Sequence, residues 1–168
     1  MARKLREKSH LEAEGWSEWM FSMAPEETTR QGTNLTERGN GQVGLKNVKL
    51  RDKLKEQNEN VENLCGIYEW RATRHGGREP TVVYVGSTCP RPSGRWQRMA
   101  NRILKYTKDG DHKEELINDA LRNGYELWVR FKPANGNVTE ARRMENDLLD
   151  KYDYAWNIRR NVQERNIL

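Results

Sequence analysis

Thr81-Val82-Val83-Tyr84-Val85 sets five β-branched or aromatic residues in a row, the strongest strand signal in the chain. A fold that uses it must supply a neighbouring strand, because a lone strand leaves backbone donors and acceptors unpaired. Cys65-Gly66-Ile67-Tyr68-Glu69-Trp70 provides that neighbour. Arg74-His75-Gly76-Gly77-Arg78-Glu79-Pro80 reads as the turn region between the two. The pair suggests a hairpin with a connection long for a tight turn. A third strand is expected at Tyr125-Glu126-Leu127-Trp128-Val129-Arg130-Phe131, where side chains alternate after Gly124.

Helical patterns separate and follow these strands. Pro90, Pro92 and Gly94 break the chain. Gly94 to Tyr106 is helix-like, with Trp96, Met99, Ile103 and Leu104 for apolar contact. Arg95, Arg98 and Arg102 recur at intervals of three and four and share part of one face. Lys108-Asp109-Gly110 stops this element. Asp111 with Glu114 caps a second helix running to Leu121. Asn137 with Glu140 begins a last long helix carrying Ala141, Met144, Leu148, Leu149 and Tyr152.

Upstream, Ser9-His10-Leu11-Glu12 has the form of a capping box. Leu11, Trp16, Trp19, Met20 and Met23 follow at roughly helical spacing and predict a helix, weakened by Gly15. Pro25 to Gly44 is rich in Gly, Thr, Asn and Gln and reads as a loop or linker. Leu45 to Asn60 predicts another helix, with Leu45, Val48, Leu50 and Leu54 as its apolar set. The expected fold is α+β: a small three-stranded mixed or antiparallel sheet flanked by helices, with a helical N-terminal extension. Residues 1–60 would form a helical arm and flexible linker, and residues 61–168 the folded domain.

Composition bounds the function. The 168 residues allow one modest core plus an appendage. Only 35% are hydrophobic and 33% are charged, but six tryptophans argue against disorder throughout. No apolar run approaches membrane-spanning length. The basic start has no apolar stretch behind it, so an intracellular protein is expected. Cys65 and Cys89 have no metal-ligand pattern around them and read as two free thiols in a reducing compartment. The formal charge is +5, and its distribution matters more than its size. From Arg91 to Lys108 there are six basic residues and no acid, a patch that suits a polyanion.

At Gly66-Ile67-Tyr68 and Tyr84-Val85-Gly86 the sequence resembles the GIY-YIG nuclease superfamily. The first tripeptide is unaltered, and the second is a variant that family also uses. Arg95-Trp96-Gln97-Arg98 matches its arginine motif, Glu145-Asn146 its helix glutamate, and Asn157 a late asparagine. The resemblance covers about residues 64 to 160. Gly66-Ile67-Tyr68-Glu69-Trp70, Gly124 to Arg130 and Tyr152 to Asn157 are also similar to the nuclease-like domain of plant effector-of-transcription proteins, which are nuclear DNA-binding regulators. Their cysteine-rich zinc repeats do not occur in this sequence. There is one departure. Many of these nucleases place His or Tyr four residues after the catalytic arginine, where this chain has Met99.

The resemblance implies a metal-dependent DNA endonuclease that nicks to leave 5′-phosphate and 3′-hydroxyl ends. Glu145 would hold one Mg²⁺ or Mn²⁺, and Arg95 would clamp the phosphate as charge develops. Tyr84 would act as base, and Tyr68 would hydrogen-bond to water or phosphate. Arg91, Arg98, Arg102 and Lys105 would contact flanking phosphates, His75 would touch DNA from its loop, and Asn157 would hold the last segment against the site. The competing expectation is a DNA-binding regulatory module of the same fold with reduced or absent cleavage; a protein-interaction module is a third. DNA is the expected partner, with no membrane association and a monomeric or weakly dimeric state. A nuclear location would follow if the source is eukaryotic.

Overall fold

The computed structural model describes residues 4–5, 13–28, 30, 32–39, 43–74, 80–90 and 98–157. In chain order these form β1 (Lys4–Leu5), β2 (Met20–Ala24), β3 (Leu35–Glu37), β4 (Leu45–Asn47), α1 (Leu50–Gln57), β5 (Gly66–Arg74), β6 (Thr81–Thr88), α2 (Met99–Asp109), α3 (Glu114–Arg122), β7 (Tyr125–Pro133), α4 (Val138–Lys151) and β8 (Tyr152–Asp153). Single turns of 3₁₀ helix occur at Val61–Asn63 and Asp111–Lys113. Six strands make one sheet in the order β3-β4-β2-β7-β5-β6, with every neighbouring pair antiparallel. β1 and β8 pair in parallel, apart from it.

Side-chain alternation on β5 and β7 gives the sheet two different faces. Tyr68, Trp70 and Ala72 stand opposite Phe131, Val129 and Leu127. Onto this face α2 and α3 lay Ile103, Tyr106, Ile117 and Leu121, and α1 adds Leu50 and Leu54. Each such aliphatic side chain, once buried, contributes roughly 1.5–3 kcal/mol. On the other face Val82 and Val85 meet Leu149 of α4 and Tyr154. β5 and β6 are therefore covered on both sides, which is why their apolar residues run nearly without interruption. α4 starts as its sequence predicts, with Asn137 Oδ1 accepting from the Glu140 N–H at 2.8 Å.

The N-terminal third departs from expectation. Among the described residues there is no N-terminal helical extension, and the sheet has six strands rather than three. Met20–Ala24 is a strand between β4 and β7, with all five residues buried. A strand covered on both faces loses its alternation, so Met20 and Met23 mimic helical spacing. The capping box at 9–12 lies outside the described residues. Trp16 and Trp19 form no helical stripe. They sandwich the Arg130 guanidinium, 4.1 and 4.7 Å from the ring centres. Arg71 then lies over Trp19 and Trp128, and Arg30 over Trp128 and Phe21.

The segment read as a linker contains β3 and a buried anchor. Arg38 is 1% exposed and donates to the carbonyls of Thr107 and Val43 and to Asn118 Oδ1. Burial lowers its pKa to about 10, so it stays charged at neutral pH. Of the helix expected over Leu45 to Asn60, α1 keeps the middle, and Leu45–Asn47 is β4 instead.

Cys65 and Cys89 are not free thiols; they form a disulfide. Gly66 pairs with Thr88 across β5 and β6, so the next residues outward face each other. Closing a loop with a sequence separation of 24 restricts the unfolded chain. The double variant Cys65→Ser, Cys89→Ser is expected to lose about 3 kcal/mol. Urea denaturation of both proteins measures it, and an unchanged midpoint would show that the bond adds no stability.

Candidate nucleic-acid site

β5 and β6 present Tyr68 and Tyr84 on the same face of the sheet as α2, where Tyr106 points down between them. The three phenols are buried and meet at their oxygens. Tyr68 Oη lies 3.2 Å from Tyr106 Oη, and Tyr106 donates to Tyr84 Oη at 3.3 Å. Gly86 sits opposite Tyr68 in the β5–β6 register. A Cβ there would lie 2.5 Å from the Tyr68 ring end, so only glycine lets the phenol take its place. Gly66 is required for a different reason, since a Cβ would lie 2.2 Å from the Lys132 carbonyl oxygen on β7.

Arg102 organises the cluster from one turn before Tyr106. Its Nε donates to Tyr68 Oη at 3.3 Å and its Nη2 to Tyr106 Oη at 3.1 Å. Its Nη1 donates to Asp111 Oδ2 at 2.7 Å. The Asp111 carboxylate is also 3.3 Å from His112 Nδ1, and His112 Nε2 is 3.4 Å from Tyr84 Oη. The contacts close a ring: Arg102, Tyr68, Tyr106, Tyr84, His112, Asp111 and back to Arg102. One set of proton positions satisfies it throughout. Tyr68 donates to Tyr106, Tyr84 donates to His112 Nε2, and His112 donates from Nδ1 to Asp111. Burial pushes the pKa of all three phenols up, which keeps them neutral at pH 7. Burial likewise lowers the His112 pKa.

Of the predicted site residues, Tyr68, Tyr84 and Arg102 come together in this ring. Glu145 is 8% exposed on α4, close enough for its charge to oppose phenolate formation at Tyr68 and Tyr84. Arg98, just before α2, and Lys105 on it are exposed. Asn157 is buried, with its side-chain amide accepting from the Val85 N–H at 3.0 Å and donating to the Val85 carbonyl at 2.9 Å. His75, Arg91 and Arg95 lie outside the described residues. Met99 is fully buried in the core. Tyr106, Asp111 and His112 complete a ring that the motifs did not outline. One signal was available: the expected spacing of four from arginine to Tyr or His runs from Arg102 to Tyr106.

The cation does not fare so well. Among the described residues no group of three or more His, Cys, Asp or Glu side chains could hold a metal ion. The Tyr68 and Tyr84 phenols within reach of the Glu145 charge bring only neutral oxygens. The expectation of Mg²⁺ or Mn²⁺ on Glu145, and with it the metal-dependent endonuclease and its nicked products, is corrected by this finding.

The sheet, its covering helices and the tyrosine–arginine ring define an α+β domain. Residues 95–167 match the family described as GIY-YIG domain-containing protein. The matched part includes Arg102, Tyr106, Glu145 and Asn157; the two tyrosine tripeptides precede it. No curated protein and no solved structure matches the chain.

Proposed function

We propose that the chain is a DNA-binding module on a nuclease-like fold, with reduced or absent cleavage. The observation that carries this reading is the outer surface of α2. Arg98, Lys105 and Lys108 are exposed along it, no acidic residue interrupts the run from Arg98 to Lys108, and Arg102 stands beside them above the phenols. Their spacing keeps the cations near one side of the helix, where they would meet successive phosphates. The GIY-YIG match is consistent with a nucleic-acid partner. Neutral phenols and the lack of a metal-ligand cluster among the described residues favour binding over hydrolysis. A regulatory role is the one suggested by the resemblance of Gly66 to Trp70 and Tyr152 to Asn157 to the effector-of-transcription proteins.

Fluorescence anisotropy with a labelled duplex of about two helical turns tests the proposal. Neutralising about three phosphates predicts a slope near −2.7 in log K against log salt, about 40-fold weaker binding from about 50 to 200 mM. Changing Arg98, Lys105 and Lys108 together to Gln should flatten that slope. Supercoiled plasmid should stay supercoiled at saturating protein. Absence of binding at about 50 mM salt, an unchanged slope in the triple variant, or rapid nicking would each defeat the proposal.

A further inference from the structure

Asp111 is the one described non-glycine residue with positive φ, at 45°. Left-handed backbone is unfavourable for side-chain-bearing residues, although Asp and Asn tolerate it best. Here it turns the chain sharply after α2 and delivers the carboxylate between a guanidinium, an ammonium and an imidazole. Asp111 Oδ2 accepts from Arg102 at 2.7 Å and lies 3.3 Å from His112 Nδ1, and Oδ1 lies 3.8 Å from Lys105 Nζ. The Arg102 and Asp111 side chains are 16% and 19% exposed, so the pair is partly shielded yet reachable from solvent. A carboxylate and a phosphate present oxygens to a guanidinium fork in the same way.

We propose that Asp111 is an intramolecular stand-in for a phosphate, and that it limits how tightly the Arg102 site holds a nucleic-acid phosphodiester. This rests on the DNA-binding reading for the identity of the ligand. With Asp111 in place, Arg102 is spent on a carboxylate and two phenols, and an incoming phosphate must displace the carboxylate. The ring is thus a closed form of the site, and the exposed lysines and Arg98 make the first contacts.

The test is Asp111→Asn, which keeps size and hydrogen bonding, removes the charge, and suits left-handed backbone. Glu115→Gln is the control: it removes an exposed carboxylate of α3 that forms no part of the ring. Asp111→Asn should bind the labelled duplex about tenfold tighter, with a salt slope steeper by about one phosphate. Glu115→Gln should change affinity by less than about twofold. In a second arm, inorganic phosphate at constant ionic strength should raise the melting temperature of Asp111→Asn more than that of the unaltered chain. Equal or weaker DNA binding by Asp111→Asn, or an equal gain in the control, overturns the proposal. If the unaltered chain and Asp111→Asn both ignore DNA, the DNA-binding reading fails. The phosphate arm then decides: a melting temperature no more responsive in Asp111→Asn rejects the stand-in.

Discussion

Glu69→Ala should destabilise the protein by about 3–5 kcal/mol, enough to leave a marginally stable domain largely unfolded at room temperature. Glu69 is fully buried and Arg130 is 2% exposed. Arg130 Nε and Nη2 both donate to Glu69 Oε1, at 3.0 and 2.7 Å, and Tyr154 donates to Oε2 at 2.6 Å. Alanine would strand the Arg130 charge between the indoles of Trp16 and Trp19 and deprive Tyr154 of its carboxylate. The damage comes from the abandoned partner rather than from any large net gain of the pair. The double variant Glu69→Leu, Arg130→Met should therefore cost much less than Glu69→Ala. Urea midpoints of Glu69→Leu, Arg130→Met and the double variant form the needed cycle. A double variant as unstable as the sum of the singles would show that this charge pairing is not what matters.

This pair also marks the limit of what the sequence discloses. β5, β6 and β7 announce themselves through β-branched and aromatic runs, and α4 through its Asn137 cap, because those signals are local. The N-terminal strands are held by distant partners. Arg130, more than a hundred residues later, fixes Trp16 and Trp19, and Asn118 fixes Arg38. An arginine that serves as a core anchor looks in sequence like any surface cation. The disulfide was hidden similarly, since it follows from the Gly66–Thr88 register and not from cysteine spacing. In the site, the two tyrosines were legible from the tripeptides. Asp111 and His112 were not: Asp111 reads in sequence as a helix cap, yet it caps neither the 3₁₀ turn nor α3, and a left-handed turn instead swings the pair back to Arg102 and Tyr84.

Trp156→Ala should cost about 3–5 kcal/mol and, unlike Glu69→Ala, should open the phenol ring. Trp156 is 2% exposed in the cluster that holds Trp70, Tyr84, Tyr106, Ile117 and Leu127. Its backbone N–H donates to the Val83 carbonyl at 2.9 Å, and its backbone carbonyl accepts from Lys113 Nζ at 2.6 Å; both bonds survive in alanine, so the loss is the packing of the ring. Next to it, the Asn157 amide takes both backbone groups of Val85. β6 ends the sheet, so this tail covers the edge that carries Tyr84. Without the indole, Tyr84 loses its packing support, and His112 loses its phenol partner. The pH profile separates this from simple destabilisation. Burial holds the folded His112 pKa below its ordinary value of 6.5, so the unfolded chain takes up the proton first. Its contribution is present above about pH 6.5 and is lost as the pH falls through that value toward the folded pKa. In Trp156→Ala the His112 titration, followed by NMR, should move up toward the ordinary histidine value, and in Trp156→Phe it should stay low. A titration that stays low in Trp156→Ala, in protein still folded, would mean that the tail stabilises the sheet without shaping the ring.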